Sequence, residues 1–129
     1  MIDPADPGEA VLRFLVERHL ATLTTLRRDG SPHVVPVGFS YTAADRTVRV
    51  ITWATSVKAR NAERGGRAAV CQVDGGRWLT LEGQVQLVTD AERVEAAVRG
   101  YAARYRQPGE RADRVAIEIH VDRILGRAS

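Results

Sequence analysis

A short polar stretch from Thr55 to Asn61 carries side chains that suit the binding of a phosphate. Thr55 and Ser56 follow a run of strand-forming residues, and both are candidates for the N-cap of a helix. Lys58, Arg60 and Asn61 would then lie in the first turns of that helix. A helix start attracts anions because it offers free backbone N–H groups and a partial positive charge. The stretch therefore predicts a phosphate cradle built from Ser56, Lys58 and Asn61.

The lysine in this stretch stands out by composition. The chain has 19 lysines and arginines together, and Lys58 is the only lysine, which leaves 18 arginines. A chain that otherwise uses arginine predicts that position 58 needs a compact ammonium group and not a planar guanidinium. The alternative is a solvated lysine on a short surface helix. The flanking Ser56 and Asn61 favour phosphate binding, and both interpretations stay open on the residues alone.

Two other sites could contact a planar or anionic ligand. Arg77 and Trp78 follow a glycine turn at residues 75–76. Trp78 is either an ordinary core aromatic or a side chain that packs beside a planar ring, with Arg77 meeting an anionic group. Arg104 and Arg106 lie where the longest predicted helix ends. They either extend along the helix surface to solvent or form a basic rim around a substrate site.

No motif for metal, hydrolytic or nucleotide chemistry occurs. The three histidines are far apart on different predicted elements, and the chain has one cysteine, so neither a metal site nor an internal disulfide is predicted. No serine lies in a nucleophile elbow, and no glycine-rich nucleotide-binding pattern is present. If the chain is an enzyme, its chemistry is expected to belong to a bound cofactor.

Composition and charge exclude several partners. The net charge is +3, the basic residues are interleaved with acidic ones, and aromatic residues make up 5% of the chain. A nucleic-acid surface would need a concentrated basic stripe and more stacking side chains, so no nucleic-acid partner is predicted. No apolar run approaches the length of a membrane span, about 20 residues. The acidic, proline-rich N-terminus does not suit a signal peptide, and a cytoplasmic location is expected.

Hydrophobic periodicity predicts three helices and six strands. The predicted helices cover residues 7–19, a short segment that ends at the glycines 65–66, and residues 90–105. The predicted strands cover residues 21–26, 32–41, 47–53, 67–73, 78–88 and 114–125. Hairpin turns join several of these strands, which predicts a mainly β, α+β fold. We expect a single domain over residues 1–129, a six-stranded antiparallel split β-barrel with flanking helices.

Three residues predict irregularities in these strands. Pro36 lacks a backbone N–H group, so the second strand should be an edge, carry a bulge or have an interrupted ladder there. Gly38 permits the close approach of another backbone or of a ligand. Gly83 allows a bend that would curve the sheet.

Several segments together resemble the flavin and deazaflavin oxidoreductases of the pyridoxamine-phosphate-oxidase-like split-barrel type. These segments are residues 20–25, 29–37, 56–61 and 78–83. Within this family the chain looks most like the branch of F420-dependent biliverdin reductases. That likeness lies in residues 17–21, 31–35, 73–79 and 104–106. The resemblance covers nearly the whole chain, from about Val11 to Gly126.

The resemblance implies a homodimer of six-stranded split barrels with coenzyme F420, a deazaflavin, at the dimer interface. By this resemblance, Ser56, Lys58 and Asn61 would hold the phosphate region of the cofactor. Residues of the second and third predicted strands would line its ring system: Pro36, Val37, Gly38, Ile51 and Thr52. Arg77 and Trp78 would come from the neighbouring turn, of the same or of the partner subunit.

The resemblance also implies an activity, namely hydride transfer from the reduced deazaflavin to a conjugated acceptor. A tetrapyrrole such as biliverdin, reduced to bilirubin, is the expected substrate. Its propionates need cationic partners, for which Arg77, Arg104 and Arg106 are the candidates. No side chain is identified as the proton donor, so the proton would come from solvent. Two alternatives stay open: an FMN-dependent oxidoreductase of the same fold, and a non-catalytic split-barrel protein that binds a flavin or a pigment.

Overall fold

The computed structural model describes the whole chain, from Met1 to Ser129. Three helices accompany a single sheet of seven strands. The helices are α1 (Glu9–Val16), α2 (Val57–Glu63) and α3 (Ala91–Arg104). The strands are β1 (Ala21–Leu26), β2 (Pro32–Val37), β3 (Ser40–Thr42), β4 (Thr47–Trp53), β5 (Arg67–Asp74), β6 (Arg77–Val88) and β7 (Arg114–Arg127). The predicted element order is confirmed, apart from the division of the second strand.

The sheet curls into a barrel because its two edges are neighbours in the chain. The strand order is β2-β1-β5-β6-β7-β4-β3, and every pair is antiparallel. The first and last strands of this order, β2 and β3, are separated only by Gly38 and Phe39. Pro36 lies on β2, which pairs with β1 alone, so the prediction of an edge position for this proline is confirmed.

The prediction of six strands is wrong, because the second predicted strand is divided into β2 and β3. Side chains from the end of α3 form hydrogen bonds with the backbone N–H and carbonyl of Phe39. In a continuous strand these groups would pair with a neighbouring strand. The N–H of Phe39 donates to the hydroxyl of Tyr105 (3.2 Å), and its carbonyl accepts from Nη1 of Arg104 (2.8 Å). Chain direction therefore changes at residues 38–39, and β3 pairs with β4 at the opposite edge of the sheet.

Alternating side chains of the central strands fill the barrel. Val115, Ile117, Ile119 and Val121 of β7 are all buried, as their spacing predicts. Phe14 of α1 is completely buried in the same cluster and closes one part of the barrel.

The bend predicted at Gly83 is confirmed. The β6–β7 register shifts between residues 82 and 83, and a side chain at Gly83 would place its Cβ 1.8 Å from the carbonyl oxygen of His120. The sheet therefore needs glycine at the place where it curves.

The three helices are short or polar, and none of them is long and apolar enough to cross a membrane.

Candidate functional site

A cavity of about 290 Å³ lies where β2, β4, α2 and the segment after α3 meet. We call it the cationic cavity. Ten residues line it: Pro36, Val37, Gly38, Ile51, Lys58, Tyr101, Arg106, Pro108, Gly109 and Arg114. Four of the five predicted ring-contacting residues are in this set, together with the predicted phosphate ligand Lys58. Because these residues come from five separate parts of the chain, including Arg114 at the start of β7, the fold itself assembles the cavity.

Three cations line the cationic cavity, and none of them has a carboxylate partner. Lys58, Arg106 and Arg114 take part in no salt bridge and in no side-chain hydrogen bond within the chain. Burial lowers the pKa of Lys58, since its ammonium group loses water without gaining an anion. An anionic ligand would compensate this loss and the charge of both arginines.

Trp53 holds the ammonium group of Lys58 from one side. Nζ of Lys58 lies 4.9 Å from the centre of the Trp53 ring, and the guanidinium of Arg111 lies 5.0 Å from it. Trp53 ends β4 and is paired in register with Arg114 at the start of β7. A cation near an aromatic face is attracted to the electrons of the ring, so Trp53 restricts where Lys58 can point.

The hydroxyl residues before Lys58 start the helix. Ser56 is the N-cap of α2, and its Oγ accepts from the backbone N–H of Ala59 (3.2 Å). The hydroxyl of Thr52 donates to the same Oγ (2.9 Å), and both side chains are buried. The predicted N-cap is therefore confirmed at Ser56. Thr52 and Ser56 do not line the cavity, and their contacts fix the start of the helix that carries Lys58.

The side chain of Asn61 also forms its hydrogen bonds within the protein. Its Nδ2 donates to the hydroxyl of Thr25 on β1 (3.0 Å), and its Oδ1 accepts from Arg64. The side chain is buried and does not line the cationic cavity. These contacts fasten α2 to the barrel. They point to a supporting role for Asn61, in place of the direct phosphate contact that the resemblance implies.

Arg77 and Trp78 lie away from the cationic cavity within one chain. Arg77 donates to both carboxylate oxygens of Glu17 (2.8 and 3.1 Å) and to Asp74. Its hydrogen bonds, followed by that of His19, lower the pKa of Glu17 to about 2. Glu17, His19 and Asp74 bring possible metal ligands within 4.8 Å of one another, but the guanidinium of Arg77 already neutralises both carboxylates.

Trp78 is 39% exposed and points to the outer face of the sheet. Its neighbour in register is Val73, which is 62% exposed. The structure therefore places Trp78 neither in the core nor at the cationic cavity.

The two arginines after the long helix differ in role. Arg104 is buried, and its guanidinium donates to the carbonyl of Glu17 (2.8 Å), the carbonyl of Phe39 (2.8 Å) and Oε1 of Gln72 (2.7 Å). These contacts point to a structural role and not to the predicted substrate contact. Arg106 is exposed and lines the cationic cavity, where the resemblance implies a substrate-binding cation.

Two lining residues of the cavity, Tyr101 and Arg114, were not predicted as site residues. Tyr101 lies on α3 and lines the cavity together with Gly38. Arg114 reaches the cavity only because the β4–β7 register places it beside Trp53. Register across 60 residues cannot be read from local spacing.

Comparison with known proteins identifies relatives over almost the full chain. The family model described as pyridoxamine 5'-phosphate oxidase matches residues 7–128. A protein of Mycobacterium tuberculosis (strain CDC 1551 / Oshkosh), named F420H(2)-dependent biliverdin reductase, is 52% identical over 121 residues. That alignment covers 94% of this chain and 88% of the relative.

Solved structures share the fold. A conserved hypothetical protein of Mycobacterium tuberculosis superimposes with a TM-score of 0.79 at 24% identity, covering 93% of this chain and 84% of the other. A structure named F420 Reductase gives a TM-score of 0.72 at 25% identity, covering 93% of this chain and 98% of the other.

Proposed function

The chain belongs to the pyridoxamine 5'-phosphate oxidase family, and we propose that it is an F420-dependent oxidoreductase that reduces biliverdin to bilirubin. The observation that carries this proposal is the set of three unpaired cations, Lys58, Arg106 and Arg114, around one partly apolar cavity. The relative at 52% identity supports both the cofactor and the acceptor. A single domain over residues 1–129 and the predicted cytoplasmic location remain parts of the proposal.

The residues present fit an anionic, planar cofactor. Lys58 supplies a compact charge for a phosphate, since an ammonium group binds phosphate as a point charge. Arg106 and Arg114 supply planar guanidinium groups that match carboxylates, such as those of an oligoglutamate tail or of propionates. Pro36 and Val37 of β2, and Ile51 of β4, offer apolar side chains beside which a ring system could pack.

The cofactor supplies the hydride, and the chain supplies position and charge. Lys58 would bind the phosphate region from the start of α2. Ser56, Thr52 and Asn61 would act through the helix that they hold in place. Holding both reactants in one orientation is itself a large part of catalysis, because it removes the entropy cost of their meeting.

A second copy of the chain would complete the site. The cavity of about 290 Å³ lies just below the range for small-molecule sites, about 300–1,000 Å³, so one chain encloses only part of a cofactor. Leu20, Val34, Val73 and Trp78 expose apolar surface on the outer side of the barrel. Exposed apolar patches mark interaction surfaces, and we propose that this one forms the homodimer interface. It would bring Arg77 and Trp78 towards the partner's cavity.

Titration of the purified protein with F420, and separately with FMN, tests the proposal. We expect wild type to prefer F420. Lys58→Ala should weaken F420 binding about 10- to 100-fold, because a charge-assisted hydrogen bond contributes about 1.5–3 kcal/mol. Arg60→Ala is the matched control, since Arg60 is an exposed cation on the same helix that does not line the cavity. Its affinity should stay within about twofold of wild type.

Three results would contradict the proposal in different ways. Preference for FMN would make the chain an FMN-dependent oxidoreductase of the same fold. F420 binding without turnover of biliverdin would support a non-catalytic binding protein, or an enzyme with another acceptor. Equal losses in Lys58→Ala and Arg60→Ala would show that the cationic cavity is not the cofactor site.

A further inference from the structure

Tyr101 is a lining residue of the cationic cavity, and its hydroxyl makes no hydrogen bond within the chain. The oxygen is not enclosed by protein. Tyr105, one helical turn later, is the opposite case. Its hydroxyl donates to the carbonyl of His19 (2.6 Å) and accepts from the N–H of Phe39 (3.2 Å). Only the first of these two phenols is free to act on a ligand.

The ring of Tyr101 is fixed even though its hydroxyl is free. The rings of Tyr101 and Tyr105 pack at 5.0 Å between centroids with an interplanar angle of 33°. Both press on Gly38, where an added Cβ would lie 3.0 Å from Cε2 of Tyr101 and 2.9 Å from Cε2 of Tyr105. These contacts fix the ring and leave the hydroxyl without a protein partner, which is what a positioned proton donor needs.

Few side chains of the cavity can release a proton. Arginine stays protonated in proteins, and the apolar lining residues have no exchangeable side-chain proton. Lys58 and Tyr101 are the remaining candidates, and the phosphate of the proposed cofactor would engage Lys58. We propose that the Tyr101 hydroxyl is the proton donor to the acceptor. The inference rests on the proposed function, because it requires a reduced deazaflavin as the source of hydride.

The electrons and protons of this step balance. The hydride forms a new C–H bond at a carbon of the conjugated acceptor, and a π electron pair moves to a ring nitrogen of that acceptor. The nitrogen takes the proton as the O–H bond of Tyr101 breaks. Arg106 and Arg114 line the same cavity and would stabilise the phenolate that is left, and solvent then returns its proton. The acceptor is reduced by two electrons and the deazaflavin is oxidised by two.

Tyr101→Phe tests the assignment because it keeps the ring and removes only the hydroxyl. We expect F420 and biliverdin to bind within about twofold of wild type, while the single-turnover reduction of biliverdin slows by about 10²- to 10⁴-fold. Tyr105→Phe is the matched control, since it removes a hydroxyl bonded to backbone. It should lower the melting temperature and leave the rate per folded molecule within about threefold of wild type.

A readout without turnover separates proton donation from packing. Biliverdin bound in the absence of deazaflavin should show a visible absorption band displaced towards that of the protonated pigment in wild type, because a donor faces its ring nitrogen. Tyr101→Phe should lose this displacement and Tyr105→Phe should keep it. A Tyr101→Phe rate within threefold of wild type, or parallel losses of binding and melting temperature, would overturn the proposal. Failure of wild type to bind F420 would instead overturn the proposed function, and this inference with it.

Discussion

Two arginine-rich regions of this chain are built in opposite ways. Around Glu17, the guanidinium groups of Arg77 and Arg104 each donate three hydrogen bonds, to carboxylates, carbonyls and an amide. Around the cationic cavity, the side chains of Arg106 and Arg114 make no such contact. A cation with several protein partners contributes to the fold, whereas a cation left without an anion is available to a ligand.

The difference is sharpest at the end of α3. Arg104 and Arg106 are two positions apart, yet one is buried and the other exposed. Arg104 is the last residue of α3, and its side chain contacts buried groups of the barrel. Tyr105 is the C-cap of the helix, and Arg106 lies after it. An arginine that is buried with hydrogen-bond acceptors therefore supports the fold, whereas an exposed arginine without a partner can bind a ligand.

Removing Arg104 should have the largest effect on stability. Arg104→Met keeps much of the apolar volume but leaves two carbonyls and the amide oxygen of Gln72 without their donor. We expect a loss of about 3–5 kcal/mol in the free energy of unfolding, because each of these buried acceptors loses a charged partner. Urea denaturation followed by circular dichroism measures it. A loss below about 1 kcal/mol would show that the hydrogen bonds of Arg104 contribute little to stability, and the two regions would then not differ in this respect.

Gly38→Ala should have the next largest effect. Its Cβ would press on the rings of Tyr101 and Tyr105 at 2.9–3.0 Å, and strain of this kind costs about 1–3 kcal/mol. Gly109→Ala is the control, because Gly109 also lines the cavity and nothing lies within 4 Å of its Cβ position. We expect that control within about 0.5 kcal/mol of wild type in the same urea experiment. Equal effects of the two variants would show that the tyrosines do not pack on Gly38.

Local rules predicted the parts of the molecule that depend on nearby residues. The alternation of β7 fixes its buried face, and Ser56 begins α2 through a contact three residues ahead. The division of the second strand could not be predicted, because the side chains that capture the backbone of Phe39 lie 65 and 66 positions further along the chain. Arg104 and Arg114 were out of reach for the same reason. Their roles depend on tertiary contacts and on register, which spacing does not encode.

Glu17→Gln should change how stability depends on pH. Arg77 and His19 lower the pKa of Glu17 from its ordinary value of 4.5 to about 2 in the folded chain. A carboxylate with a lowered pKa stabilises the fold fully above its ordinary value, and this stabilisation is lost as the pH falls towards 2. We therefore expect Glu17→Gln to melt earlier than wild type at pH 7, and the two curves to converge between pH 5 and pH 2. Melting temperatures across that range measure the convergence.

Asp122→Asn provides the comparison for that series, because Arg67 lowers the pKa of Asp122 at an exposed site far from α3. Exposed ion pairs contribute little, so its melting curve should stay closer to that of wild type at pH 7. If Glu17→Gln and Asp122→Asn changed the melting temperature equally at pH 7, the contacts of Glu17 would contribute no more to stability than an exposed ion pair.

Arg106→Met should have the smallest effect on stability and a clear effect on binding. No protein group depends on this side chain, so the free energy of unfolding should stay within about 0.5 kcal/mol of wild type. The same variant removes one of three charges around the cavity, so F420 should bind more weakly, and its affinity should fall less steeply with added salt. The two variants should therefore have opposite profiles. Arg104→Met lowers the free energy of unfolding, whereas Arg106→Met weakens the binding of F420. If Arg106→Met bound F420 with the affinity of wild type at every salt concentration, Arg106 would not contact the cofactor. The absence of an ion pair would then not identify the arginines that bind a ligand.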